Sequence, residues 1–302
     1  MFYRLRQALH RVRFKRKVQS ILDVPPVQTG APDGPTVVTQ VCHADVFMYL
    51  VAIHSLARYV VPRRVVVLDD LSLREHDKAL IRKRIHRVEI AAADKVPNES
   101  CPTGGCWERL LLVADLVQQD YVVQIDADTL TLGDPVEAKR WIAEGVSFTL
   151  GTRDGRAIIP MSEAQEFARG RADGENDHIQ VLAESSFDRL EGWQERRYVR
   201  GNAGFAGFAP GSFARDTVEA FSEEMQALTG ARWSEWGSEQ LTSNYIVANS
   251  PRAEVLPVPQ YRYHGEEAPP AGTTFLHFIG THRFYKGRYA DMSRKLVEEL
   301  GG

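Results

Sequence analysis

Two aspartates stand two positions apart at the end of a short apolar segment. Asp126 and Asp128, with Ala127 between them, directly follow the strand-like sequence YVVQI. In an extended chain the side chains of residues i and i+2 point to the same side, so both carboxylates can contact one divalent cation such as Mg²⁺ or Mn²⁺. Such a cation could bridge to a diphosphate and stabilise it as a leaving group. The same spacing is also compatible with a strand-end turn in which an aspartate caps the next backbone amide.

The elements that must position this pair alternate between strand and helix patterns. β-branched and apolar runs predict strands over residues 36–42, 64–68, 88–92 and 121–125. Apolar residues at helical spacing predict helices over residues 46–59, 73–85 and 107–117. This order predicts an α/β fold with a mixed, mostly parallel sheet flanked by helices. Ligands bind beyond the carboxyl ends of the strands in such sheets, where the loops 42–45, 69–70 and 126–129 lie.

Composition divides the chain into segments. Residues 1–23 form a basic amphipathic segment, residues 24–35 a linker rich in proline and glycine, and residues 36–290 the main domain. Within that domain, residues 156–195 have a polar, helical pattern, and residues 156–200 are predicted to form an elaboration of the main domain. Residues 291–302 are predicted to form a C-terminal helix or tail.

Charge is distributed unevenly along the chain. The 37 basic and 40 acidic residues give a net charge of −3, but seven basic residues precede the first acid, which leaves 30 basic against 40 acidic residues and −10 for the remainder. The seven are Arg4, Arg6, Arg11, Arg13, Lys15, Arg16 and Lys17. Phe2, Leu5, Leu9 and Val12 recur among them at helical spacing. This pattern is typical of a segment that contacts an anionic membrane surface through residues 1–22. A solvated basic tail, or a helix docked on the acidic body, has the same pattern.

The compartment is predicted from what the sequence lacks. No apolar run reaches the roughly 18 residues that a spanning helix needs, and no apolar stretch follows the basic start as in a secretory signal. Three cysteines, at positions 42, 101 and 106, are too few for a disulfide scaffold or a four-ligand zinc site and fit free thiols in a reducing compartment. We expect a cytoplasmic protein, peripheral on the inner face of a membrane. No nucleic-acid partner is predicted, because the basic residues cluster in one short segment without a recognition motif.

Five segments in order resemble glycosyltransferase family 8, whose members have the GT-A fold. The sequence QIDADTLTLGDP resembles the D-x-D segment, and WERLLLVADLVQQDYVVQIDADTL resembles the family's stretch from a helical R-L through an apolar strand to D-x-D. Residues 201–205, GNAGF, resemble the F-N-A-G segment with glycine in place of phenylalanine. Residues 237–241, GSEQL, resemble the D-Q segment with glutamate in place of aspartate, and residues 277–280, HFIG, resemble H-x-x-G.

This resemblance implies a metal ligand set and a donor site. His277 would be the third ligand of Mn²⁺ or Mg²⁺ beside the two aspartates, a set that suits Mn²⁺. From its apolar surroundings alone, FLHFI, a structural histidine is the favoured interpretation. The residues implied for the nucleotide-sugar donor are Asp45, Arg109, Asp126, Ala127, Asp128, Asn202, Ala203, Gly204, Gly280, Arg283 and Lys286.

Individual donor contacts follow from the same comparison. Asp45 would bind the base or ribose, or else cap the following helix. Arg109 would reach the diphosphate or base, or else face solvent. Asn202 would hydrogen-bond the transferred sugar, with small neighbours that allow close backbone approach. Arg283 stands where the family has a phosphate-binding lysine, and Lys286 follows three residues later.

The catalytic candidates are Gln240, Glu239 and Asp154. The resemblance places Gln240 beneath the anomeric carbon in an enzyme that retains configuration. Glu239 or Asp154 would act as the base in an inverting enzyme. From the residues alone, Asp154 in GTRDG is equally a turn residue, and the segment around Gln240 is equally a helix start capped by Ser238.

The activity implied is transfer of a sugar, with retention, from a UDP-sugar to a glycan, lipid-linked or protein acceptor, with residues 156–200 on the acceptor side. Three alternatives share parts of the pattern. A haloacid dehalogenase-type phosphatase wants Thr or Val four residues after the first aspartate, where Leu130 stands. A nucleotidyltransferase wants a glycine-rich basic loop after the first strand, unlike VCHADVFM. A non-catalytic nucleotide-sugar-binding protein of the same fold is the third, since His43 and Ala44 replace acids of the family.

Overall fold

A computed structural model describes residues 2–174 and 177–302, with the backbone alone at residues 2–7 and 281. Residues 1, 175 and 176, which belong to the predicted basic segment and the predicted elaboration, lie outside it. The fold is α/β, with a mixed, mostly parallel sheet flanked by helices, as predicted. The chain divides into two compact units. The first comprises residues 1–93, 125–139 and 258–302, and the second comprises residues 94–124 and 140–257.

Helices account for much of the described chain. In chain order they are α1 Phe2–Lys17, α2 Val46–Ala57, α3 Glu75–Arg84, α4 Trp107–Leu116, α5 Val136–Glu144, α6 Met161–Arg169, α7 Ile179–Glu184, α8 Arg215–Thr229, α9 Ser238–Asn249 and α10 Arg288–Gly301. Those that the sequence predicted before position 120 begin and end within three residues of expectation. Within the described residues, no helix is long and apolar enough to cross a membrane.

The strands are short, and most of them are buried. In chain order they are β1 Thr36–Val41, β2 Arg64–Asp69, β3 Glu89–Ala92, β4 Val122–Ile125, β5 Thr129–Thr131, β6 Ser147–Leu150, β7 Ile159–Pro160, β8 Arg197–Tyr198, β9 Asn202–Phe208, β10 Ala253–Leu256, β11 Tyr261–Tyr263 and β12 Phe275–His277. Runs of β-branched residues such as RVVVL favour strands that are covered on both faces, which is why they do not alternate with polar residues.

In the first unit, β2 pairs in parallel with β1 on one side and with β3 on the other. The register places Val41 opposite Asp69, so the loops after β1 and β2 leave the sheet at the same edge. A second sheet has β12 at its centre, parallel to β11 and antiparallel to β5. Its register places His277 opposite Thr129. This pairing fixes the histidine one residue from the end of the D-x-D sequence.

The basic helix α1 packs on the first unit rather than standing apart as a solvated tail. Phe14 is buried, with its ring centroid 4.5 Å from that of Tyr289 in α10, and His10 stacks on Phe284 at 5.2 Å. Leu9 and Val12 remain 52% and 49% exposed. The helix therefore uses one apolar face for docking and keeps other apolar side chains at the surface.

In the second unit, the strands neighbour one another in the order β10-β6-β9-β4. β10 and β6 run parallel, whereas β6 and β9 run antiparallel with an irregularity between Thr149 and Leu150. The small residues of β9 allow close packing: a Cβ on Gly207 would lie 2.3 Å from the Phe148 ring. Strand β9 therefore tolerates no larger side chain at that point.

The elaboration at 156–200 forms its own small structure. β7 and β8 pair antiparallel, with Ile159 opposite Tyr198, so the chain leaves and returns at one place. Between them lie α6 and α7. Helix α6 is amphipathic: Met161, Ala164 and Ala168 are buried at i, i+3 and i+7. In the sequence of α6 these buried residues are separated by exposed polar ones, which makes the apolar face hard to recognise.

Candidate metal and donor site

Asp126 and Asp128 lie where β4 ends and β5 begins. The Thr129 hydroxyl donates to the Asp126 carbonyl oxygen at 2.9 Å, and the Phe278 N–H donates to the Asp128 carbonyl oxygen at 2.9 Å. The Thr129 contact closes the turn, and the Phe278 contact ties it to the segment that carries His277. The carboxylates are thereby held by the sheet rather than by a flexible loop. Asp128 is 5% exposed and His277 is 4% exposed.

The imidazole of His277 meets both carboxylates. Its Nε2 lies 3.1 Å from Asp128 Oδ1 and 3.2 Å from Asp126 Oδ2. Burial alone would lower the pKa of His277, but the charges of Asp128 and Asp126 outweigh it and raise the pKa to about 9. The ring is therefore protonated at neutral pH when no cation is bound. The proximity predicted from the order of the motifs is present in the structure.

These three residues fit a divalent cation by the chemistry of their donor atoms. One ligand atom from each lies within 4.8 Å of the others. Two carboxylates and one imidazole are ligands that Mn²⁺ and related cations accept, and the partly exposed Asp126 leaves the site open on one side. The cluster could thus hold a metal ion, with the imidazole binding in its neutral form.

The positive charge of Arg283 lies beside the carboxylates of this cluster. Its Nη2 lies 2.5 Å from Asp128 Oδ2, and its Nη1 lies 3.6 Å from Asp45 Oδ2. Burial lowers the pKa of Arg283, but the carboxylates of Asp128 and Asp45 outweigh burial and raise it above the ordinary arginine value. The guanidinium accordingly stays charged beside the candidate cation site. The two N–H groups on one side of a guanidinium can donate together to the oxygens of a diphosphate at this position.

Asp45 precedes α2 but does not cap it, so that alternative is wrong. Its side chain makes no hydrogen bond to the helix start. It instead accepts from Arg11 Nε of α1 at 3.0 Å and faces Arg283. Sequence reasoning missed Arg11, because nothing distinguishes it from the other basic residues of α1.

The remaining predicted donor residues of this unit lie in turns. Ala127 is half-buried between the aspartates, and Gly280 has a positive φ of 52° with open space at its Cβ position. Lys286 is exposed, has a positive φ of 52°, and places its Nζ 5.2 Å from the Tyr285 ring centroid. Of the two basic candidates near Gly280, only Arg283 has an ion pair with the predicted metal ligands among the described contacts.

In the second unit, Asn202 begins β9 and is buried. Its Oδ1 accepts from the Gly204 N–H at 2.8 Å, and Gln124 Nε2 donates to the Ala203 carbonyl oxygen at 2.7 Å. Gly201 precedes it, where the resembling family has phenylalanine. A Cβ there would lie 2.7 Å from Thr149 Oγ1 and 2.8 Å from Asn244 Oδ1. The close packing therefore requires glycine at position 201.

Gly201→Ala is expected to lower the free energy of unfolding by about 1–3 kcal/mol, because the methyl group must displace packed side chains. Gly265→Ala is the matched control, since nothing lies within 4 Å of its Cβ position. Urea denaturation of both variants checks this. Equal stability of the two variants would contradict the close packing at position 201.

Arg109 and Glu239 form a buried pair. Arg109 Nη2 lies 3.4 Å from Glu239 Oε1, and the two residues are 3% and 4% exposed. The solvent-facing alternative for Arg109 is therefore wrong. The N-cap residue of helix α9 is Gly237 and not Ser238, so the predicted cap is wrong. Ser238 is the first residue of the helix, and its hydroxyl accepts from Trp107 Nε1 at 3.0 Å. Gln240 follows Glu239 and is half-buried.

Asp154 lies in the loop after β6 and pairs with the elaboration. Arg171 Nη1 lies 2.5 Å from Asp154 Oδ2. The Thr152 hydroxyl donates to the Arg200 carbonyl oxygen at 2.6 Å, and Gly155 packs on the same backbone. The GTRDG sequence is therefore a turn fixed against the residues just before Asn202.

A buried carboxyl that the sequence did not single out lies beside this loop. Glu184 is 1% exposed; its Oε1 accepts from the Tyr198 hydroxyl at 2.9 Å, and its Oε2 lies 3.4 Å from Arg200 Nη1. Burial raises the pKa of Glu184 to about 7, against the opposing effects of Arg200, Tyr198 and Arg171. No local signal identifies it, because its partners come from β8 and the segment after it.

The pKa of Glu184 is higher in the folded state, at about 7, than in the unfolded state, at 4.5. This group therefore stabilises the folded state fully below pH 4.5, and the stabilisation is lost as the pH rises through about 7. Between pH 5 and pH 8, we expect the unfolding free energy to fall by up to about 3 kcal/mol from this group. Glu184→Gln should remove that component. Denaturation midpoints of both proteins from pH 5 to 8 check it; parallel pH profiles would contradict it.

Comparison with known proteins supports the fold independently. A scan against protein-family models finds no match, and a search of curated proteins finds none. Among solved structures, apo WbbM, a bifunctional glycosyltransferase, matches with a TM-score of 0.52 and 15% identity over 89% of this chain and 52% of that one. An active-site mutant of LgtC matches with a TM-score of 0.51 and 12% identity over 87% and 95%. GlyE of Streptococcus pneumoniae matches with a TM-score of 0.47 and 12% identity over 88% and 62%.

The chain therefore spans about half the length of WbbM and less than two thirds of GlyE. The matches to WbbM and LgtC show that it has the GT-A fold of glycosyltransferases. This confirms the predicted fold class. At 12–15% identity, the resemblance to family 8 stays a prediction.

Proposed function

We propose that this chain is a metal-dependent glycosyltransferase that transfers a sugar from a nucleotide diphosphate sugar to a glycan acceptor. The observation that carries the proposal is the convergence of Asp126, Asp128 and His277 on one point. The fold is one that glycosyltransferases have. The three side chains can bind a divalent cation, and such a cation stabilises a diphosphate leaving group.

The ligands of Mn²⁺ or Mg²⁺ would be Asp126, Asp128 and His277. When bound, the cation supplies charge that stabilises the departing diphosphate. Arg283 would donate to the diphosphate oxygens from beside Asp128. Asp45 would bind the base or ribose, and its contact with Arg11 would then be exchanged for the nucleotide. A UDP-sugar is the proposed donor.

Retention of configuration is the proposed outcome. Inversion needs a carboxylate base, and both candidates are held in ion pairs: Glu239 with Arg109, and Asp154 with Arg171. Gln240, half-buried and neutral, would instead place an amide oxygen near the positive charge that develops on the sugar. Arg109, Asn202, Ala203 and Gly204 would complete the donor contacts of the second unit. Proton NMR of the product's anomeric centre decides the outcome; an inverted product would contradict retention.

A thermal-shift panel of UDP- and GDP-sugars, with and without Mn²⁺, tests the donor and the metal together. A donor present at 100 times its Kd should add about 2.7 kcal/mol of stability, and we expect this only for a UDP-sugar with Mn²⁺. Transfer to a glycan panel should follow. Pyrophosphate release from an NTP and a sugar phosphate would instead indicate a nucleotidyltransferase, phosphate release from simple phosphomonoesters a phosphatase, and donor binding without turnover a binding protein.

Helix α1 supports a proposed contact with an anionic membrane, which would bring the enzyme to a lipid-linked acceptor. Leu9, Val12, Arg13 and Arg16 share one exposed face at i, i+3, i+4 and i+7. Exposed apolar side chains beside arginines match the interface of anionic lipids.

Leu9→Glu/Val12→Glu is expected to reduce co-sedimentation with phosphatidylserine-containing liposomes by at least about tenfold, because it removes both apolar contacts and adds two like charges. Val61→Glu, at an exposed position outside α1, is the control. Wild-type protein that stays in the supernatant at low salt would contradict membrane contact.

A further inference from the structure

The elaboration and the GTRDG turn together line an open cavity of about 680 Å³ within the second unit. This volume lies in the range of ordinary small-ligand sites. The cavity is lined by the turn, by α6 and by the end of the elaboration near Arg200. It does not include Asn202 or Gln240, although Arg200 stands two residues before Asn202 in the chain.

At the rim of the cavity, an aromatic ring lies beside a guanidinium group and a carboxylate. Phe167 of α6 is 43% exposed. The Arg171 guanidinium carbon lies 5.3 Å from the Phe167 ring centroid, and the same guanidinium pairs with Asp154. Both charged side chains keep a third or more of their surface exposed.

Deeper in the wall, Glu184 and Arg200 form an ion pair, with Oε2 and Nη1 3.4 Å apart. Both atoms are shielded from solvent, so this pair supports the wall and does not face the cavity directly. At the rim, the Asp154–Arg171 pair places an exposed acceptor beside exposed donors. This combination matches a hydroxyl group, which both donates and accepts, whereas an anion, which only accepts, would meet the Asp154 carboxylate.

Charge also selects the class of ligand. Four arginines and four carboxylic acids line the cavity, so its formal charge is zero when all are ionised. A strongly anionic or cationic ligand gains little from such a wall. A neutral molecule with hydroxyl groups and one apolar face can contact both the Asp154–Arg171 pair and the Phe167 ring.

We propose that this cavity is the subsite for the acceptor, and that it takes a neutral saccharide whose apolar face packs on Phe167. Its hydroxyl groups are held by the Asp154–Arg171 pair, and the buried Glu184–Arg200 pair supports the wall behind them. The assignment of this saccharide as acceptor rests on the proposed transfer function, whereas the binding itself does not. Thr152 and Gly155 fix the cavity against the backbone of Arg200, which connects it to the residue predicted to contact the transferred sugar.

Saturation-transfer NMR on the full chain, without nucleotide or metal, tests the binding. The probes are the methyl α- and β-pyranosides of D-glucose, D-galactose and D-mannose, with methyl D-galacturonoside as the anionic comparison. We expect at least one neutral glycoside to bind, and Phe167→Ala to weaken it about tenfold. Phe167→Trp, which keeps an aromatic face, should restore binding.

The matched control is Trp236→Ala, which removes a 70% exposed aromatic of the same unit outside the cavity. Binding should be unchanged in it. No signal from any neutral glycoside, equal loss in both alanine variants, or tighter binding of the uronoside would overturn the proposal. Because no donor is present, these results are separate from those of the UDP-sugar panel: failure of transfer with intact glycoside binding would count against the proposed function alone.

Discussion

Asp128→Asn should lower metal-dependent donor hydrolysis and transfer by about 10³-fold. A cation acting on a leaving diphosphate is worth several kcal/mol, and each 1.36 kcal/mol is a factor of ten in rate. The substitution preserves size but removes the charge that faces both His277 and Arg283. Mn²⁺ affinity, followed by the EPR signal of free Mn²⁺, should fall in parallel.

The control for this variant is Asp134→Asn. Asp134 belongs to the same unit and is exposed, pairing only with Lys139 among the described contacts. Its variant should match wild type in both measurements. Undiminished Mn²⁺ binding by Asp128→Asn, in protein with a native circular dichroism spectrum, would show that the cluster is not the metal site. Undiminished transfer despite lost Mn²⁺ binding would separate catalysis from the metal.

The regular part of the fold follows from local signals. Runs of β-branched residues and apolar residues at helical spacing indicate directly which residues are buried. These patterns predicted strands β1 and β2 and helices α2, α3 and α4. The link from Asp128 to His277 is different, since 149 residues separate them. Only the order of motifs suggested it, and the physical cause is the antiparallel register of β5 and β12.

Contacts made by single charged residues were not predictable in the same way. Arg11 reaches Asp45, and Glu184 lies beside Arg200, through packing between elements that are not adjacent in sequence. Their neighbours in sequence carry no pattern that distinguishes them. The packing of the elaboration was not predictable either, because its buried apolar residues are spread over α6, α7 and the segment after them within a polar sequence. Tertiary placement, not local propensity, selects these residues.

Arg109→Ala is expected to destabilise the protein by about 3–5 kcal/mol, the usual cost of leaving a buried charge without its partner. Glu239 would lose the guanidinium at 3.4 Å while remaining 4% exposed. The resemblance assigned Arg109 to the donor, but its place in the structure gives it a second role in holding Glu239. The two roles predict different results in a double-mutant cycle.

If Arg109 mainly neutralises Glu239, then Arg109→Ala/Glu239→Gln should recover most of the lost stability, because no unpaired charge remains. The coupling free energy from the cycle, measured by urea denaturation, should reach about 1–3 kcal/mol. Additive single effects would contradict the pairing. Donor affinity in the double variant then isolates the other role: a UDP-sugar that still binds weakly to this restored protein depends on the Arg109 guanidinium itself, since stability is no longer the difference.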